Sequence, residues 1–321
     1  MGCTDVHFRA FLHPFDLTYA RLKESASYFG FNPRHCFNTS LSASILLQLQ
    51  DDIKEEIRAI SPTTPIASIL AETRNTSGLS HLIFELSPAD ENRHLSGARI
   101  GAVSNWALDL LLKEYEKRQA TAAADFYFSL LGTPTVAPLC GRIMERQVLK
   151  YFDSLKGIQG FKIRALNGSI ISDWNYPGPA KRVTFQTQSF APSLESAVGS
   201  KQSLHLVPLD PNFPAINSVL YNPSEVLSGI QVTISDRHPV VVSGLKRIQS
   251  WLKVDGLLAH LRPSTLSNHW RLIFVVPNEM AATFHQQPLE GDTGGQEWAG
   301  KVDQYVLGIP EDTLWGRAAK T

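Results

Sequence analysis

The residues whose types and spacing bear on chemistry lie between Pro211 and Pro239. Asn217 leads the run Ser218-Val219-Leu220-Tyr221, and Gln231 and Thr233 stand two apart in Gly229-Ile230-Gln231-Val232-Thr233-Ile234-Ser235. Upstream, Glu145 falls in a stretch that reads as a helix over roughly 141–155. An acid on an early helix, a ligand on one strand and an alternating pair on the next is an economical arrangement for metal-assisted phosphodiester hydrolysis. A hard divalent cation activates water and bears the developing charge. Mg²⁺ asks the protein for only one or two carboxylates, and a neighbouring lysine steadies the transition state.

On this reading Glu145, Asn217 and Gln231 are the metal ligands, and Thr233 stands where the lysine belongs. Gln231 and Thr233 share a face because side chains alternate along a strand. Lys246, on the following helix, is a substitute cation with Arg247 beside it. Three of the four expected charges are missing, since an amide oxygen brings no charge to Mg²⁺ and Thr233 brings none to the transition state. Weak metal affinity and impaired catalysis are therefore expected. Each residue also has a plainer role. Glu145 suits a helix start, where the macrodipole favours an acid. Asp236 suits a turn and Arg247 a solvated helix face. His238 is of the residue type suited to acid or base work near neutrality, but it also reads as an ordinary loop histidine. Trp174 and Tyr176, near Lys181 and Arg182, suit base stacking beside phosphate-contacting cations, or equally the edge of a core. Lys181, Arg182, Lys246 and Arg247 are the candidate nucleic-acid contacts.

The elements that must position these residues follow from periodicity. Ile45, Leu46, Leu49, Ile53, Ile57 and Ile60 repeat at helical spacing, with Asp51, Asp52, Lys54, Glu55 and Glu56 on the other face. A breaker at 61–65, a short helix over 66–72, a turn at 75–78 and a strand at 81–86 follow. Ser104 is a candidate N-cap for a helix through Trp106, Leu110 and Tyr115. A domain boundary is expected near Leu131-Gly132-Thr133-Pro134, giving domains of 1–130 and 131–321. Strands are expected at 161–166, 182–187, 204–207, 216–221 and 230–235, and a helix through Leu245, Ile248 and Trp251. The continuous apolar run Trp270–Pro277 reads as a strand buried on both faces. The tail around Gln304–Gly308 is expected to pair back onto the body. The order predicts an α/β fold: a mostly helical first domain, then an α/β sandwich with a mixed central sheet.

A net charge of zero conceals segregation. Residues 1–140 carry 12 basic against 15 acidic residues, residues 141–275 carry 15 against 8, and residues 276–321 carry 3 against 7. A basic middle suits a polyanion-binding module. The three cysteines, Cys3, Cys36 and Cys140, form neither a zinc pattern nor a disulfide framework. A reducing compartment, cytoplasm or nucleus, is the expectation. No apolar run reaches membrane-spanning length, and Met1–His7 lacks the regions of a secretion signal. Gly2 is not expected to be myristoylated, because Val6 stands where that motif wants Ser or Thr.

At Phe213–Ser218, Ile230–Pro239 and Trp270–Pro277 the chain resembles the fungal retrotransposon-hot-spot and Crinkler-type proteins. Asn32-Pro33-Arg34-His35-Cys36 is similar to the "PRxC" segment late in their ATPase portion, and Asp303–Gly308 to their C-terminal end. The resemblance implies the helical end of a P-loop ATPase followed by a restriction-endonuclease-like domain, in proteins tied to mobile elements, genome conflict and nuclear effectors. The chain contains no G-x-x-x-x-G-K-[ST] loop, so ATP hydrolysis is not expected. Glu145, Asn217 and Gln231 match the family's nuclease positions, with Gln-x-Thr a form the family itself uses and aspartate the implied residue at 217. The resulting expectation is a DNA-directed, nuclease-like domain with impaired Mg²⁺-dependent cleavage. The other reading is a non-catalytic module binding nucleic acid or a protein partner.

Overall fold

In the computed structural model the described residues are 17–30, 32–60, 82–88, 98–118, 122–131, 133–168, 170–178, 180–210, 213–223, 225–266, 268–291 and 295–316. The breaker, helix and turn expected at 61–78 lie outside them, as do Gly2, Cys3 and Val6. The chain divides into two compact units, Met1–Arg142 and Ile143–Thr321.

The first unit is largely helical. Thr18 caps α1 (Tyr19–Phe29) by accepting the Arg21 amide proton, and Asn32 caps α2 (Pro33–Leu41) in the same way through His35. Pro33 sits at the first helical position, where a missing N–H costs nothing. Between these helices Gly30 has φ +64°, and a Cβ there would lie 2.2 Å from the Val103 carbonyl oxygen, so only glycine fits. Helix α3 (Ala43–Ala59) realises the expected stripe with burial that deepens along it: Ile45 is exposed, Leu46 and Leu49 are half-buried, and Ile53 and Ile57 are buried. Strands β1 (Phe84–Pro88) and β2 (Ala98–Ala102) pair antiparallel. Helix α4 (Asn105–Arg118) is capped by Ser104, whose hydroxyl accepts the Ala107 amide proton at 3.1 Å and donates to the Tyr28 carbonyl at 2.7 Å. Helix α5 (Ala122–Leu130) follows.

Helix α6 (Ala137–Ser154) starts earlier than its periodicity suggested, after a 3-10 turn at Pro134–Val136, and runs across the division into the second unit. There follow β3 (Gln159–Ala165), β4 (Ile171–Tyr176), β5 (Lys181–Phe185), α7 (Thr187–Ser200), β6 (Leu204–Pro208), β7 (Ser218–Tyr221), β8 (Ser228–Val232), β9 (Val240–Val241) and α8 (Val242–Trp251). The chain continues with β10 (Trp270–Pro277), α9 (Asn278–Ala281), β11 (Leu289–Glu290), α10 (Gly295–Ala299), β12 (Val302–Ile309) and α11 (Glu311–Trp315). Eight strands form one mixed sheet in the order β4-β3-β12-β10-β8-β7-β6-β5. Strand β10 runs parallel to both neighbours and buries side chains on both faces, which accounts for its uninterrupted apolar sequence. The tail strand β12 is inserted between β10 and β3.

Helices cover both faces of this sheet. Phe190 and Leu194 of α7 and Leu245 and Ile248 of α8 pack with Leu206, Val219, Leu272 and Phe274 on one face. On the other face Phe152 of α6 stacks on Tyr176 at 4.6 Å and meets Trp174 and His205 edge-on. Eight strands laid flat would span about 34 Å. Yet the two edge strands β4 and β5 are joined through residues 177–180, which reach about 17 Å at most. The sheet must therefore curl, and its two edges converge at a seam.

Candidate functional site

The pairing of β7 with β8 sets Ser218 opposite Ile230, so one step further Asn217 faces Gln231 on the same side of the sheet. The Asn217 amide N–H donates to the Ile230 carbonyl at 2.8 Å, and the Val232 N–H donates to Asn217 Oδ1 at 2.6 Å. The carboxamide thus extends the ladder where the β7 backbone turns away. Just before it, Ala215 has φ +75°, and the Pro214 carbonyl presses on α8 so closely that a Cβ on Gly244 would lie 2.0 Å from its oxygen.

Strand β8 ends at Val232, two residues short of placing Thr233 and Ile234 within it. Thr233 belongs to the following turn, where its hydroxyl accepts the Ser235 amide proton at 3.0 Å. Gln231 is buried beside Phe274, its Nε2 near the Val232 carbonyl at 3.4 Å. Glu145 lies two helical turns before Phe152 on α6, a helix packed on the sheet face opposite to Asn217 and Gln231. Lys246 is exposed on α8, close enough to Glu297 to help hold that carboxyl below its usual range, after the nearer Lys301. Asn217 and Gln231 are therefore brought together, Thr233 lies just beyond, and Glu145 and Lys246 are carried by helices on opposite faces. Among the described residues no three His, Cys, Asp or Glu side chains gather as a metal cluster.

The loop after β8 is held by a glutamine network. Gln304 pairs with the Gln287 backbone through both amide atoms at 2.8 Å. The Gln287 side chain accepts the His238 amide proton at 2.6 Å and donates to the Asp236 and His285 carbonyls. Burial lowers the His238 pKa, so this ring is favoured in its neutral form. Asp236 is an exposed turn residue.

Of the aromatic candidates, Trp174 and Tyr176 are buried at 0% and 1% exposure, so they are core residues and cannot stack on bases. Arg182 is ion-paired with Asp153 at 2.6 Å. Arg247 donates to Thr187 Oγ1 at 3.0 Å and lies over the rings of Phe213 and Trp251, yet remains exposed.

Lys181 opens a feature that the sequence does not announce. At the seam a pocket of about 680 Å³ is lined by Asn175, Lys181, Gln202, Ser203, Asn222 and Glu225, with Ile158 and Pro177 at its apolar side. These residues come from the ends of β4, β5, β6 and β7 and from the segment before β8. Each is an ordinary polar residue in its own local sequence, so only Lys181, as an exposed cation, carried a signal.

Burial pushes the thiols of Cys36 and Cys140 up to about 11, which makes both poor nucleophiles. No helix among the described residues is long and apolar enough to cross a membrane. Comparison with known protein families, with curated proteins and with solved structures finds no match to this chain.

Proposed function

We propose that the second unit is a nucleic-acid-binding module on a restriction-endonuclease-like scaffold, of the retrotransposon-hot-spot and Crinkler type, whose ligand positions have become structural. The first unit would then be the helical end of an ATPase. The observation that carries this reading is the 2.6 Å bond from the Val232 N–H to Asn217 Oδ1. The Asn217 amide oxygen, the atom that would face a cation, is engaged in closing a strand. Thr233 likewise closes its own turn, and Glu145 rides a helix on the opposite face. This set does not fit a Mg²⁺ site. What remains available is positive surface: Lys181, Lys246 and Arg247 are exposed, in the segment where basic residues outnumber acidic ones by 15 to 8.

Fluorescence anisotropy on DNA at rising salt tests the proposal. Binding that weakens with salt, without strand cleavage in Mg²⁺, is expected, because released counterions drive phosphate contacts. Lys246→Gln with Arg247→Gln should reduce the log–log salt slope by about 2, roughly one per lost contact. Salt-independent binding would overturn the nucleic-acid reading. Mg²⁺-dependent cleavage abolished by Glu145→Ala would restore Glu145, Asn217 and Gln231 as a catalytic set.

A further inference from the structure

We infer that the seam pocket holds one nucleotide of a single-stranded nucleic acid, with its phosphodiester on Lys181 and its base edge among Asn175, Gln202 and Ser203. This rests on the nucleic-acid reading above and says which form of the polymer is bound and where.

The first ground is chemical readiness. Asn175, Lys181, Gln202 and Ser203 line the pocket, and their side chains engage no partner among the described residues. Polar groups that converge on a cavity without satisfying one another are what a polar ligand requires.

The second ground is charge. Glu225 is ion-paired with Arg271, which leaves the Lys181 ammonium as the uncompensated charge of the lining. One positive charge matches the single negative charge of a phosphodiester better than the near-double charge of a phosphate monoester. The carboxamides of Asn175 and Gln202 each offer donor and acceptor together, the pattern that reads base edges. Ile158, 76% exposed, and Pro177 supply an apolar side for the sugar or ring face.

The third ground is access. A base paired in a duplex has its Watson–Crick edge occupied and its faces stacked, so a pocket of this size admits only a splayed nucleotide. From Lys181 along β5 to Thr187 and its partner Arg247 is about 20 Å at strand rise. A strand leaving the pocket can therefore follow this sheet edge toward a second cation.

The test uses the whole chain. Thymidylyl-thymidine, thymidine and inorganic phosphate are titrated by calorimetry, and oligothymidine is compared with its duplex by anisotropy. The dinucleotide should bind, thymidine should bind less well, and phosphate should not compete. Lys181→Gln and Gln202→Ala should each weaken the dinucleotide by about tenfold, as loss of a charge-assisted or paired hydrogen bond implies, with melting temperatures unchanged. Lys253→Gln, at an exposed lysine outside the pocket lining, should leave dinucleotide binding intact, and oligothymidine should outbind the duplex. Equal affinity for single strand and duplex, with both pocket variants silent, overturns this inference while leaving salt-dependent binding by the basic surface standing. Failure of every nucleic acid to bind at low salt overturns both.

Discussion

Asn217 accepts the Val232 amide proton at 2.6 Å, and Val232 is only 5% exposed, so that donor has little access to water. Replacing Asn217 with alanine strands the donor, which costs about 1–3 kcal/mol. Aspartate offers an oxygen at the same place and, being charged, makes a stronger bond. Asn217→Asp should therefore keep most of the stability that Asn217→Ala loses, as read by urea unfolding of the two variants. Equal losses would mean that the bond is not what the residue contributes. A neutral amide serves the ladder at this half-buried position without bringing a charge beside Gln231 and Phe274.

At the scale of elements, the curl of the sheet is tied across its concave face by three buried side chains. The Tyr176 hydroxyl of β4 meets His205 Nδ1 of β6 at 3.1 Å, and His205 Nε2 meets Ser218 Oγ of β7 at 2.8 Å. Burial, with the Arg182 charge adding to it, holds the His205 pKa down to about 3. An unfolded histidine titrates near 6.5. Between about 6.5 and 3 the unfolded chain thus binds a proton that the folded ring does not. The stability this ring permits is complete above pH 6.5 and falls with falling pH, at about 1.4 kcal/mol per unit. His35 and His238, also lowered by burial, pull in the same direction, so the decisive quantity is a difference. His205→Gln should show a shallower loss of urea stability on acidification than the parent chain, and parallel pH profiles would count against the assignment. Elements with one dominant signal were legible beforehand: β10 from its unbroken apolar run, α4 from its Ser104 cap, α8 from its repeat. Strand β4 was not, because Ser172-Asp173-Trp174-Asn175 resembles a polar loop until Trp174 is packed under Phe152. Helix α7 was hidden by Pro192, which removes one helical donor and reads as a breaker.

At the scale of the molecule, what sequence order conceals is adjacency. The seam pocket draws on positions 175, 181, 202, 222 and 225, which no local pattern links. The sheet is likewise completed by its last strand, since β12 sits between β10 and β3 and alone joins the β3–β4 hairpin to the remaining strands. A two-stranded hairpin is marginal in water, and β12 buries Val302, Val306, Leu307 and Ile309. Loop closure between β3 and β12 is a cost repaid only when both flanks of β12 pair. A chain ending at Gly300 should consequently lose more than one strand. The hairpin should detach, the packing of Trp174 and Tyr176 against Phe152 should go with it, and β10 should lose its parallel neighbour. Near-UV circular dichroism should then report collapse of the aromatic signal, and limited proteolysis should cut between residues 155 and 180. A chain ending at Gly316 keeps β12 and α11 and should show neither change. If the chain ending at Gly300 kept the full aromatic signal and its protease resistance, β12 could not be the strand on which the sheet depends.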